Sequence, residues 1–147
     1  MAIAERTAET RWMGSLASGA GSVRGASGAF DGLTVTWASR TEQPGGKTSP
    51  EELAAAAHSS CFAMALVLRL GERHIAPRRL AVTATVTLAE VGGVPTIISS
   101  ALQVGGKVQD LDRAGFQAAV DEAARLCPIS RLFAGAQVTV EAALEPV

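Results

Sequence analysis

The sequence has no tyrosine, two tryptophans and four phenylalanines. So few rings leave little on which single-stranded bases could stack. A net charge of −1 gives no basic field to draw in nucleic acid or an anionic membrane surface. Cysteine is scarce, with only Cys61 and Cys127, 66 positions apart. That separation excludes a local CxxC redox motif and a zinc knuckle. No Gly-x-Ser-x-Gly is present to build a nucleophile elbow, and Gly19-Ala20-Gly21 does not open a helix as a phosphate loop must. Internal repeats and low-complexity tracts are also missing. Met1 to Arg11 carries Glu5, Arg6, Glu9 and Arg11 where a signal peptide needs an apolar core, so the expected location is the cytoplasm.

What is present describes a core-forming chain. Its 147 residues are 48% hydrophobic and 18% charged, which reads as one globular domain spanning 1–147. Leu53 to Leu68 carries no charged residue if His58 is neutral. His58, Ser59 and Ser60 interrupt the run, and it is shorter than the roughly 20 residues of a membrane span. A helix buried on all sides is the expectation, with other elements packed around it.

The alternation of Leu33, Val35 and Trp37 with Thr34, Thr36 and Ala38 predicts a strand, and weaker strands are expected near Thr7–Trp12 and Gly21–Arg24. Pro44-Gly45-Gly46 breaks regular structure. Ser49 as N-cap, Pro50 at the first position and Glu52 closing a capping box predict a long helix to Leu70, with Gly71 as its C-cap. Leu80–Leu88 and Thr96–Val104 alternate around Val91-Gly92-Gly93 and predict a long antiparallel hairpin. On the second strand Thr96, Ile98, Ser100, Leu102 and Val104 are expected to share a face. Asp110 or Asp112 caps a helix to Arg125, with Phe116, Val120, Ala123 and Ala124 on its stripe, and Pro128 ends it. A short turn to Phe133 leads to a last strand through Val138, Val140, Ala142 and Leu144. The order implies an α+β fold, a mostly antiparallel sheet around a long buried central helix.

Chemistry in such a chain centres on the thiols. In a reducing cytosol the two cysteines are not expected to form a structural staple, and two buried thiols acting as small hydrophobes remain an alternative. Cys61 lies too deep in its helix for the N-terminus to lower its pKa, and apolar surroundings disfavour its thiolate. A reactive Cys61 therefore needs a cation from another segment. Arg40 and His58 are the candidates, although a hydrogen-bonded core histidine is the preferred reading of His58. Cys127 precedes Pro128 at a helix end, where backbone N–H groups stabilise a thiolate and exposure is expected to exceed that of Cys61. A metal site from Cys61, Cys127, His58 and His74 lacks the short ligand spacings of structural zinc.

Ser49-Pro50-Glu51-Glu52-Leu53 followed by Ala56-Ala57-His58-Ser59-Ser60-Cys61-Phe62-Ala63-Met64-Ala65-Leu66 resembles the OsmC/Ohr family of organic hydroperoxide reductases. Cys127-Pro128-Ile129-Ser130 matches the family's second motif, Cys-Pro-x-Ser. The resemblance runs from about Trp12 to Val140. Trp12-x-Gly14, Ser39-Arg40 and the histidine before the two serines look more like the OsmC branch than the Ohr branch.

The resemblance implies a thiol-dependent two-cysteine peroxidase in an intertwined homodimer, without metal, haem or flavin. Cys61 would attack an organic hydroperoxide, and less readily an inorganic one, to become a sulfenic acid. Cys127 would resolve it as a disulfide, which a dithiol of lipoyl or other type would reduce. Arg40 would hold the thiolate and polarise the peroxide, and Glu51 would orient Arg40. Glu51 and Cys61 are ten positions apart, about 15 Å along one helix, so the Glu51 serving a given Cys61 is expected from a second subunit. A non-catalytic stress or ligand-binding protein, or a redox sensor, would use the same thiol pocket. No nucleic-acid or membrane partner is expected.

Overall fold

A computed structural model describes residues 1–147 in two compact units, Met1–Leu53 and Ala54–Val147. In the first, β1 (Ala8–Met13), β2 (Ala20–Gly25) and β3 (Leu33–Val35) form an antiparallel sheet in that order. Val23 and Val35 are its buried apolar residues.

The expected strand through Trp37 and Ala38 stops at Val35, and α1 (Trp37–Thr41) follows. The reason is a local cap. The Thr36 hydroxyl accepts from the Ser39 N–H (3.0 Å), and the Ser39 hydroxyl accepts from the Thr36 N–H (2.9 Å). Two hydroxyls thus form the reciprocal cap usually closed by Glu or Gln, and they outweigh the strand-like alternation.

α2 runs from Pro50 to Gly71 and crosses from the first unit into the second. Ser49 Oγ accepts from the Glu52 N–H (3.1 Å) as expected of an N-cap, but the Glu52 carboxylate takes the Thr48 hydroxyl (2.6 Å). Gly71 is the last helical residue, not the cap. The left-handed residue is His74 (φ 58°), whose N–H donates to the Gly71 carbonyl (2.9 Å) while that of Ile75 reaches Leu70 (3.0 Å). That pair of bonds is a Schellman motif.

With 22 residues and an 18-residue stretch of mean hydropathy 1.6, α2 is long and apolar enough to cross a membrane by length and composition alone, unlike the shorter charge-free run read from the sequence. Here it serves as a packing helix. His58, Phe62, Leu66 and Leu70 form a buried stripe at four-residue spacing. Met64, Val67 and Leu68 are exposed, so the expected all-round cover is met within the chain on one stripe only.

The second unit holds the main core. β4 (Arg79–Val91) and β5 (Val94–Lys107) form the expected hairpin. Gly92 and Gly93, both at positive φ, supply the left-handed pair that a two-residue turn of matching twist requires. A register shift after Thr87, where Leu88 pairs with Ile97, takes Ile98 off the predicted face and leaves it exposed. Ser100, Leu102 and Val104 keep that face and are buried. β6 (Gln137–Leu144) pairs parallel to β5, giving the order β4-β5-β6.

α3 (Arg113–Leu126) is capped by Asp112, whose carboxylate accepts from the Gly115 N–H (2.7 Å), and it buries Phe116, Ala119, Val120 and Ala123. Residues of α2, β5 and α3 meet in one apolar cluster that includes Cys127. Arg73 joins the end of α2 to α3 through Glu122 (2.8 Å), and its guanidinium holds that carboxyl below the usual carboxylate range.

Candidate active site

The sequence-predicted residues fall into two pairs, one in each unit. In the first unit α1 places Arg40 beside Glu51 at the start of α2. Arg40 Nη2 and Nε donate to Glu51 Oε1 at 2.6 and 3.0 Å, and Nε also lies 3.1 Å from Oε2. Ser39 sets this up: its hydroxyl hydrogen lies within reach of the carbonyls of Thr36 (3.0 Å) and Thr48 (2.9 Å), so α1 is tied to the segment entering α2. Val35 also bridges to Thr48. Trp37 lies under the guanidinium, 5.9 Å from its ring centre to Arg40 Cζ. Glu51 is buried, so its carboxylate depends on Arg40 for compensation.

In the second unit the two thiols lie together. Cys127 caps the C-terminus of α3, its N–H donating to the Ala123 carbonyl (2.9 Å), and Pro128 then starts α4 (Pro128–Leu132). The Cys127 side chain makes no helix-capping bond. It belongs to the buried apolar cluster against which Cys61 packs. Burial pushes the Cys61 thiol up from its ordinary pKa; the backbone N–H of Ile129 pulls it down, and neighbouring Cys127 pushes it up again.

Two expectations are corrected here. Cys127 is fully buried, while Cys61 is partly exposed, the reverse of the predicted order. Cys127 itself enters the apolar cluster while Pro128 stays exposed, and Cys61 sits beside rather than on the deepest stripe of α2. The backbone N–H at the start of α4 serves Cys61, where the sequence pointed to Cys127.

His58 is a hydrogen-bonded core histidine, as preferred from the sequence. It has no exposed surface; Nδ1 lies 2.6 Å from Ser100 Oγ and Nε2 2.8 Å from Ser130 Oγ. The Phe133 ring lies 5.2 Å away, and burial lowers the imidazole pKa, so it is neutral at pH 7. Ser100 was read only as a strand residue and Ser130 only as part of a motif. Their link to His58 spans 42 and 72 positions, beyond any spacing rule. His74, a candidate ligand in the metal reading, instead occupies the end of α2. No three His, Cys, Asp or Glu side chains converge into a metal-binding group.

Glu51, Cys61 and Cys127 all lie in the segment that comparison with known proteins matches. A model of the family described as OsmC-like protein matches residues 43–142. The chain belongs to the OsmC family. It is 34% identical over 133 residues to Peroxiredoxin OsmC of Escherichia coli, covering 90% of this chain and 92% of that protein. Among solved structures, the organic hydroperoxide resistance protein OhrB of Bacillus subtilis matches at 26% identity with a TM-score of 0.73, covering 98% of this chain and 100% of that one. A Legionella pneumophila protein described as an organic hydroperoxide resistance protein OsmC shares the fold at 22% identity and a TM-score of 0.70, covering 99% and 100% of the two chains. The OsmC family assignment expected from the motifs and the α+β fold expected from the order of elements therefore hold.

Proposed function

We propose that this OsmC-family protein is a thiol-dependent peroxidase that reduces organic hydroperoxides through Cys61 and Cys127. The observation that carries the reading is that the two thiols, on α2 and at the α3–α4 junction, meet at one apolar cluster. The names of its relatives in Escherichia coli and Bacillus subtilis support the class of reaction.

In the reaction the Cys61 thiolate attacks the terminal oxygen of a hydroperoxide. The O–O bond breaks, the alkoxide leaves and takes up a proton as an alcohol, and Cys61 becomes a sulfenic acid. Cys127 then attacks the sulfenic sulfur; the S–O bond breaks and water leaves with the Cys127 proton. An external dithiol reduces the resulting disulfide. The apolar cluster against which Cys61 packs, with Phe62 in it and Ala65 and Ile129 beside it, favours an alkyl peroxide over hydrogen peroxide.

Burial raises the Cys61 pKa, so the thiolate must be stabilised by a cation, and Arg40 is assigned that role. Glu51, which already binds Arg40 in the same chain, orients the guanidinium. Ten residues of α2 separate Glu51 from Cys61, about 15 Å. The Arg40–Glu51 pair therefore serves Cys61 of a second subunit in a homodimer.

The test is hydroperoxide consumption with a dithiol reductant by wild type, Cys61→Ser and Cys127→Ser. Loss in Cys61→Ser, with a single turnover retained in Cys127→Ser, supports the reading; equal rates in all three overturn it. Heterodimers of Cys61→Ser with Glu51→Ala chains test the sharing between subunits. One intact and one defective site per heterodimer is the expected result, provided each parent mutant is inactive.

A further inference from the structure

The buried chain Ser100–His58–Ser130 lies outside the chemistry assigned above, yet it connects the elements that carry the two thiols. His58 precedes Cys61 by three residues on α2, so both project from neighbouring turns. Ser130 follows Cys127 by three residues, one turn into α4. The same step on both elements places the His58–Ser130 bond (2.8 Å) one turn from Cys61 on α2 and one turn from Cys127, which share one apolar cluster.

The other end of the chain is anchored. Ser100 lies on β5, the middle strand, where it stands opposite Val86 of β4 and Val138 of β6. A neutral imidazole donates through one nitrogen and accepts through the other, and rotating hydroxyls satisfy either tautomer. Phe133, at the end of α4, lies against the same ring. α4 is short and its N-cap makes no side-chain cap bond, so this tie supplies a restraint that the helix does not provide for itself.

We infer that His58, held by Ser100 and bonded to Ser130, is a positioning residue that keeps Cys127 in register with Cys61 for closure of the disulfide. The role adds to the peroxidase reading, and its kinetic consequence rests on it: a loosened α4 would delay attack of Cys127 on the Cys61 sulfenic acid. The equilibrium consequence is independent of peroxide chemistry. Holding two thiols in register raises their effective concentration for each other and favours the disulfide over the dithiol.

The decisive experiment equilibrates the whole protein in buffers of reduced and oxidised dithiothreitol and counts free thiols by alkylation and mass. Wild type, Ser130→Ala, Ser130→Thr and the core variant Val120→Ala are compared, with circular dichroism confirming each fold. Loss of one buried hydrogen bond should shift the Ser130→Ala ratio of disulfide to dithiol about five- to tenfold toward dithiol. Ser130→Thr, which keeps the hydroxyl, should titrate with wild type, as should Val120→Ala, which loosens the same core without touching the bond. A Ser130→Ala ratio within twofold of wild type overturns the inference, as does an equal shift in Val120→Ala. A wild type that closes no Cys61–Cys127 disulfide overturns it as well. Treatment with one equivalent of cumene hydroperoxide adds the rate: disulfide closure should slow in Ser130→Ala relative to Cys61 oxidation in the same sample. If wild-type Cys61 ignores the peroxide while the equilibrium shift is present, the peroxidase reading fails and the positioning role stands.

Discussion

The two halves of the candidate machinery sit in contrasting surroundings. Arg40 and Glu51 are a charged pair held by short pieces: a five-residue helix, a three-residue strand and the hydroxyl of Ser39. Cys61 and Cys127 are thiols set among the longest elements of the chain and its main core. Arg40 retains 29% of its side-chain exposure, enough to keep the guanidinium hydrated, whereas a charge placed beside Cys127 would be stripped of water. A core that aligns thiols is therefore poor at ionising them, and a surface that carries a cation is poor at aligning them. Dividing the two tasks resolves the conflict.

The largest effect that would break this division is on the nucleophile. Cys61→Ser should lower hydroperoxide consumption on the order of a thousandfold or more, with folding intact by circular dichroism. Near-wild-type turnover would place the chemistry elsewhere. Next in size is the core: Phe62→Ala should cost about 3–5 kcal/mol in urea denaturation, since Phe62 is fully buried in the cluster that seats the thiols. A loss below about 1 kcal/mol would mean that the core around Cys61 is already loose.

Removing the cation tests the other half. Arg40→Gln should reduce the rate of Cys61 alkylation by iodoacetamide about 100-fold at neutral pH, by withdrawing stabilisation from the thiolate. Unchanged alkylation would sever the two pairs functionally.

The smallest predicted effect is on pH. The imidazole of His58 resists protonation in the folded state, so the unfolded chain binds more protons below about pH 6.5. The stabilisation from keeping it neutral is complete above that pH and is lost as pH falls toward the lowered folded value, by at most about 1.4 kcal/mol per unit. Urea midpoints between about pH 7.5 and 5.5 should fall in wild type and flatten in His58→Gln. A flat wild-type profile would contradict burial of a neutral ring.

Legibility in the sequence followed the range of the interactions involved. α2, the hairpin and α3 were readable because Ser49, the Gly92-Gly93 turn and Asp112 act on neighbours within a few residues. α1 was missed because a serine closed its capping box where Glu or Gln is the usual sign. The displaced Ile98 was missed because a bulge depends on the partner strand. At the site, the motifs singled out Arg40, Glu51, Cys61 and Cys127. They could not show that Cys127 would be the more buried thiol, because that depends on how the turn at Pro128 packs against α2. Nor could they show that His58 would bridge Ser100 and Ser130, partners fixed by the tertiary fold alone.

The end of α2 shows that a residue type need not announce its task. Histidine is among the side chains that tolerate left-handed backbone, and at position 74 it occupies the place usually given to glycine. What the turn requires there is a torsion angle rather than an imidazole. Asparagine or glycine would serve equally at this position, whereas valine, isoleucine and threonine, with their branched side chains, cannot take that turn without strain.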